Sequence, residues 1–107
     1  MRMMLSVTIP VETGNAAAIK GTVTSTIQQI LADLRPEAAY FTEQGGERHI
    51  CIVFDMRDSS QFPGITEPWF LAFNARVSIS PAMTLQDLAD GLHWLQSAVK
   101  SYGKPNP

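Results

Sequence analysis

EAAYFTEQGGERHICIVFD, residues 37–55, decides the fold of this chain, because two runs of alternating side chains meet there at a pair of glycines. Gly45 and Gly46 tolerate the positive φ angles that a two-residue hairpin turn requires. A turn at this point also fixes the register of the two strands. The facing pairs that it predicts are Ala39 with Ile52, Tyr40 with Cys51, Phe41 with Ile50 and Thr42 with His49.

This register divides the side chains of the hairpin between two faces of a sheet, since successive residues of a strand point in opposite directions. The residues of the apolar face are Ala39, Phe41, Ile50, Ile52 and Phe54. The residues of the mixed face are Tyr40, Thr42, His49, Cys51, Val53 and Asp55. The mixed face is the one place where the sequence indicates a site.

Segments before the hairpin predict a strand and a helix. Residues 3–9 alternate between apolar and polar side chains, which is typical of a half-buried strand. Residues 10–15 predict a loop that ends at Asn15, a helix-capping residue. Residues 16–34 carry an apolar residue at every third or fourth position, including Ile19, and predict one helix of about five turns.

Segments after the hairpin predict a helix, a strand and a further helix. Residues 61–74 indicate a short helix with Pro68 in its first turn and Asn74 as its left-handed end. Residues 75–80 alternate again and predict the fourth strand. Thr84 and Asp87 resemble a capping box, and a stripe of leucines from Leu85 to Val99 predicts the last helix.

The first six of these elements follow the order strand, helix, strand, strand, helix, strand. That order matches the βαββαβ plan of a ferredoxin-like α+β fold, with a four-stranded antiparallel sheet, and the last helix is an addition to it. We expect a single domain over residues 1–103 and a flexible tail over residues 104–107.

Composition limits the function classes. The net charge of −2 argues against binding to nucleic acid, which requires a basic surface. Cys51 is the single cysteine, so an intrachain disulfide and a multi-cysteine metal site are excluded. Neither a phosphate-binding loop nor ligands at metal-binding spacing occur in the sequence, so we expect no cofactor and no metal. No apolar run has the length of a membrane span, and the expected location is cytoplasmic.

The mixed sheet face is too apolar for simple solvation and too polar for a core, which suits a sheet that packs on its twin around a small cavity. This arrangement resembles the dimeric α+β barrels, a superfamily of ferredoxin-like domains, over residues 3–100. The segments TIPVE, HICIVFD and NARVSISPAM also resemble a small bacterial family of unassigned function. The resemblance implies a homodimer. The known members of the dimeric α+β barrel superfamily include monooxygenases, isomerases, haem-degrading enzymes and ligand binders, so the activity of this chain stays open.

The candidate site combines residues of the hairpin and of the fourth strand. His49 is the candidate catalytic base, because its ordinary pKa lies near neutrality. The candidate ligand-binding residues are Tyr40, Thr42, Cys51, Arg76 and Ser78. Four of these residues also have a structural alternative. They are a partly exposed His49 paired with Thr42, an Arg76 that pairs with a local acid or reaches solvent, a Cys51 that serves as a buried thiol, and a Tyr40 that fills space in the barrel with its hydroxyl hydrogen-bonded.

Two functions therefore remain open. The first is a dimeric small-molecule-binding protein, which as an enzyme would act without a cofactor by proton transfer or oxygenation, with Tyr40 or Arg76 stabilising an oxyanion. The second is a non-catalytic interaction or assembly module, in which the mixed face is only a subunit interface.

Overall fold

The computed structural model describes residues 1–105, and the last two residues of the predicted tail lie outside the described residues. The four strands are β1 (Arg2–Ile9), β2 (Ala38–Gln44), β3 (Glu47–Asp55) and β4 (Arg76–Pro81). The helices are α1 (Val11–Lys20), α2 (Val23–Leu34), α3 (Phe62–Phe73), α4 (Leu85–Asp90) and α5 (Leu92–Tyr102). The strands form one antiparallel sheet in the order β2-β3-β1-β4. The predicted ferredoxin-like α+β class, with added helical structure at the C-terminal end, is confirmed.

The glycine turn is confirmed with its register. Gly45 and Gly46 have φ angles of 60° and 82°, both in the left-handed region that glycine occupies without strain. All four predicted pairs between β2 and β3 face each other. The turn therefore assigns the side chains of both strands to the predicted faces.

The core lies between the sheet and α3, and the apolar stripe of α2 packs against it. The largest fully buried side chains come from the inner face of β1 and β3 and from α3: Leu5, Val7, Ile9, Ile50, Ile52, Phe54, Trp69 and Phe73. Burial of each such side chain stabilises the fold by roughly 1.5–3 kcal/mol. Phe41, which we expected against the helices, is 59% exposed, because it lies on the edge strand β2 near the hairpin turn.

The single helix predicted over residues 16–34 is wrong, because two helices occupy the segment. The first begins at Val11, inside the predicted loop, and ends at Gly21, whose φ is 75°. Tertiary contacts outweigh weak helix propensity in its first turns: Asn15 accepts a hydrogen bond from Arg48, and Gly14 lies so close to Arg48 and Ile9 that a Cβ there would collide. Asn15 is thus inside α1, not its cap.

The prediction for α3 is correct at its end and wrong at its start. Asn74 adopts a φ of 55° and closes the helix through its backbone N–H to the carbonyl of Phe70. The helix, however, begins at Phe62 directly after a short 3-10 turn, which places Pro63 in the first turn and Pro68 in the interior. The side chains of Asp58 and Gln61 cap that 3-10 turn, so the chain is already helical before the prolines.

The last predicted helix is divided at Gly91 into α4 and α5. The capping box is present: Thr84 Oγ1 accepts from the N–H of Asp87 at 3.1 Å, and Asp87 Oδ2 accepts from the N–H of Thr84 at 2.9 Å. Within residues 1–105, every helix is too short or too polar to cross a membrane.

Replacing Gly21 with alanine isolates the backbone requirement of the α1–α2 junction. Both Gly21 and Gly64 have open space where a Cβ would stand, but only Gly21 has a positive φ. We expect Gly21→Ala to lower the unfolding free energy by about 1 kcal/mol in urea denaturation. Gly64→Ala, inside α3, is the matched control and is expected to be neutral or stabilising by up to about 1 kcal/mol. Equal effects of the two substitutions would contradict the two-helix assignment.

The stability that the capping box of α4 contributes depends on pH. Hydrogen bonds from the backbone and the side chain of Thr84 hold the pKa of Asp87 below its ordinary value of 3.8. The stabilisation is therefore present above the ordinary pKa and is lost as the pH falls through the lower folded value. The amide proton of Thr84 should titrate in NMR spectra with a midpoint below 3.8. That titration should disappear in Asp87→Asn and persist in Asp90→Asn, whereas a midpoint at or above the ordinary value would exclude the cap.

Candidate functional site

The candidate site lies on the sheet face that points away from α3, which we call the outer face. Cross-strand pairing arranges its side chains in rows that run across the strands in the order β4, β1, β3, β2. One row consists of Arg76, Thr8, His49 and Thr42. The next consists of Ser78, Ser6, Cys51 and Tyr40. All six predicted site residues therefore occupy two adjacent rows of one face.

His49 is the most unusual residue of this face, because it is only 5% exposed. Its Nδ1 atom lies 3.0 Å from the hydroxyl oxygen of Thr8 on the neighbouring strand. Thr42 faces His49 across the hairpin, but it is exposed, and its hydroxyl donates to the carbonyl of Glu43. His49 is thus neither partly exposed nor hydrogen-bonded to Thr42, contrary to its structural alternative.

An ion pair crosses the sheet beside His49. The guanidinium of Arg76 on β4 donates to the carboxylate of Glu47 on β3, although β1 lies between the two strands. Glu47 is two residues from His49 and so shares its face. Arg76 is 64% exposed in its side chain, and a pair of this exposure stabilises a fold by at most about 1 kcal/mol. The main effect of the pair is to place a cation and an anion beside the side chain of His49.

Next to His49 the outer face carries a groove of about 320 Å³. The residues that line it are Ser6, Thr8, Gln44, His49, Arg76, Val77 and Ser78. Three predicted residues, His49, Arg76 and Ser78, are thus brought together in one concave site. Tyr40 is 72% exposed, and Tyr40, Thr42 and half-buried Cys51 lie on the same face outside the groove.

Four polar residues of the site were not among the predicted site residues: Ser6, Thr8, Gln44 and Glu47. The alternation of β1 already places Ser6 and Thr8 on one face. Ser6 and Thr8 lie near His49 because β1 pairs with β3. The ferredoxin-like strand order implies this pairing. The contact between Arg76 and Glu47 has no such signal, because it depends on the reach of a long side chain across a strand.

The groove offers hydrogen-bonding groups and no broad apolar wall. Serine and threonine hydroxyls both donate and accept, the Gln44 amide does the same through two ends, and the Arg76 guanidinium only donates. The imidazole of His49 adds ring nitrogens that donate or accept according to the tautomer. This set can hold a small polar molecule, and a carboxylate on that molecule would compete with Glu47 for Arg76.

A second concave region lies between α2 and α3. A wide groove of about 580 Å³ adjoins a cavity of about 350 Å³, and the two share Ile30, Asp33 and Pro68. Their ionisable lining groups are the carboxylates of Asp33 and Asp55, and Gln29 already donates a hydrogen bond to Asp33. The outer-face groove, with its imidazole, guanidinium and hydroxyls, has the more varied chemistry for binding.

Within the part of the chain that is described, no three residues of the metal-binding types (histidine, cysteine, aspartate and glutamate) lie close enough together to hold a metal ion. Comparison with protein-family models and with curated proteins finds no match for this chain. The fold and the site therefore stand on the geometry given above.

The contact between Thr8 and His49 is tested by a pair of substitutions on either side of the histidine. Thr8→Val leaves the buried Nδ1 atom without its partner and should lower the unfolding free energy by about 1–3 kcal/mol. Thr42→Val is the matched control on the other neighbouring strand, where an exposed threonine is replaced, and should change it by less than about 0.5 kcal/mol. Chemical denaturation measures both, and an equal effect would show that His49 does not depend on Thr8.

Proposed function

We propose that the protein binds a small polar molecule in the outer-face groove beside His49. The observation that supports this most directly is the burial of a histidine on a sheet face that no helix of its own chain covers among the described residues. Binding sites for small molecules are concave and carry a small number of convergent polar groups that orient the ligand.

The proposal includes a homodimer in which the outer faces of two copies meet. Apolar side chains on this face support it, since Met4 is 44% exposed and Val53 is half-buried beside polar neighbours. A second sheet would cover these residues and enclose the groove, as in the dimeric α+β barrels that the chain resembles. Sedimentation equilibrium should then give at least twice the mass of one chain, whereas the mass of a single chain would contradict the homodimer.

Binding is favoured over catalysis by the positions of the catalytic candidates. A general base must come within hydrogen-bond reach of a substrate proton. His49 borders the groove, but Tyr40 lies on the edge strand outside it, and Arg76 is paired with Glu47. A cofactor-free reaction with His49 as base thus remains the catalytic form of the proposal, and it would require a substrate that displaces Glu47 from Arg76.

The alternative is an assembly module without a ligand, which the same apolar residues Met4 and Val53 would also suit. The two functions differ in what occupies the groove. In the binding protein it stays open to a ligand, whereas in the assembly module side chains of the second copy fill it.

Ligand binding is tested by NMR with ¹⁵N-labelled protein and a library of small carboxylic acids, phenols and polar heterocycles. We expect at least one compound to shift the amide signals of Thr8, His49 and Ser78 together. Ser78→Leu places a larger side chain at the groove and should abolish these shifts. Ser80→Leu, on the same strand and face but outside the groove, should retain them.

Two outcomes would overturn the binding proposal. One is a library in which no compound shifts the outer-face signals. The other is a response confined to Ile30, Asp33 and Leu71, which would place the site in the groove between α2 and α3.

A further inference from the structure

The last two helices form an arm with no buried residue, which we call the C-terminal arm (residues 84–102). Its large apolar side chains are all at least half exposed. They are Leu85, Leu88, Leu92, Trp94, Leu95, Val99 and Tyr102, with exposures from 50% to 87%. Isolated exposed leucines are ordinary, but a continuous group of this kind marks an interaction surface.

The shape of the molecule agrees with an arm that projects from the body. The principal extents are 60 × 33 × 23 Å and the radius of gyration is 18.0 Å. A compact chain of this length would have a radius of gyration of about 13 Å. The arm leaves from the end of β4, where Ala82 donates a hydrogen bond to the carbonyl of Arg2.

The exposed apolar area suits a subunit contact. The six of these side chains that lie on one stripe, all except Trp94, give on the order of 600 Å² per arm at roughly 100 Å² each. A standard interface buries about 800 Å² per partner, whereas the surface of a monomer rarely carries more than a few hundred Å² in one apolar patch. Two arms together therefore approach the area that a stable pair of subunits needs.

The spacing of the apolar residues is that of a two-helix seam. Positions 85, 88, 92, 95, 99 and 102 step by three and four residues, which is the a and d pattern of a heptad repeat. The positions that flank such a seam carry no charge and are Ala89, Gly91, Gln96 and Ala98. Small and uncharged flanks let a second helix approach α5, the longer of the two helices that Gly91 separates.

The charges of the arm lie outside the seam. Its acidic residues, Asp87 and Asp90, and its lysines, Lys100 and Lys104, occupy positions that point away from the apolar stripe. The seam itself is therefore uncharged, and a second copy of it can pack there without burying a charge.

We propose that the C-terminal arm pairs with the same arm of a second copy of this chain. The contact is then isologous, with a two-fold axis between the two helices. It is separate from the ligand groove and does not depend on the outer faces of the sheets.

Sedimentation velocity on the full chain tests the contact with two substitutions on one helix. Leu95→Glu introduces a charge into the seam and should raise the dissociation constant of the arm-mediated step at least tenfold. Ser97→Glu adds the same charge on the opposite side of α5 and should leave that constant unchanged. Since both residues are exposed, neither substitution threatens the fold of the single chain, which circular dichroism checks.

Three further results would be decisive. Association that is the same in Leu95→Glu and wild type overturns the arm contact, even where Met4→Glu shows that the outer faces associate. Weakening by Leu71→Glu equal to that by Leu95→Glu would place the arm in the groove between α2 and α3 of the second copy and also overturn it. Loss of association in Leu95→Glu with unchanged ligand shifts at Ser78 supports the arm contact and keeps it distinct from the binding proposal.

Discussion

The structure depends on one backbone constraint, the left-handed conformation of two consecutive residues at the end of β2. Gly45 and Gly46 both have positive φ angles, which other residues adopt only with strain. Their turn matches the twist of the flanking strands and fixes which residues face each other. A slip of one residue would move Ile50 and Ile52 into water and His49 into the core, since the side-chain period of a strand is two.

The functional argument follows from the same separation of faces. The inner face is apolar and supplies the core against Trp69 and Phe73. The outer face combines hydroxyls, an imidazole and an ion pair, and it keeps His49 buried without a covering helix from residues 1–105. Burial there comes from neighbours on three strands. The site is thus a property of the whole sheet, and no single segment of the sequence contains it.

The sequence predicts best the features that depend on local backbone chemistry. The glycine turn, the Asn74 helix end and the Thr84 capping box each follow from the conformational preference of one or two residues, and each is found. The register then places all six predicted site residues on one face. Strand alternation assigns each of these residues to a face, and the strand order places the faces of the different strands side by side.

The features that the sequence did not predict depend on contacts between distant segments. The early start of α1 follows from the fit of Gly14 against Arg48, and the hydrogen-bond partner of His49 is Thr8 and not its hairpin neighbour Thr42. The apolar stripe of the last helix was evident, but its lack of a partner within residues 1–105 is visible only in three dimensions.

The most direct test of the account is whether the outer face is covered in the assembled protein. Hydroxyl-radical footprinting at increasing protein concentration reports this through Met4 on the outer face, with Leu71 on α3 as the reference. We predict that oxidation of Met4 falls severalfold as the protein associates while modification of Leu71 stays constant. Constant oxidation of Met4 across the same range would mean that the outer face stays open to water, and would contradict the account.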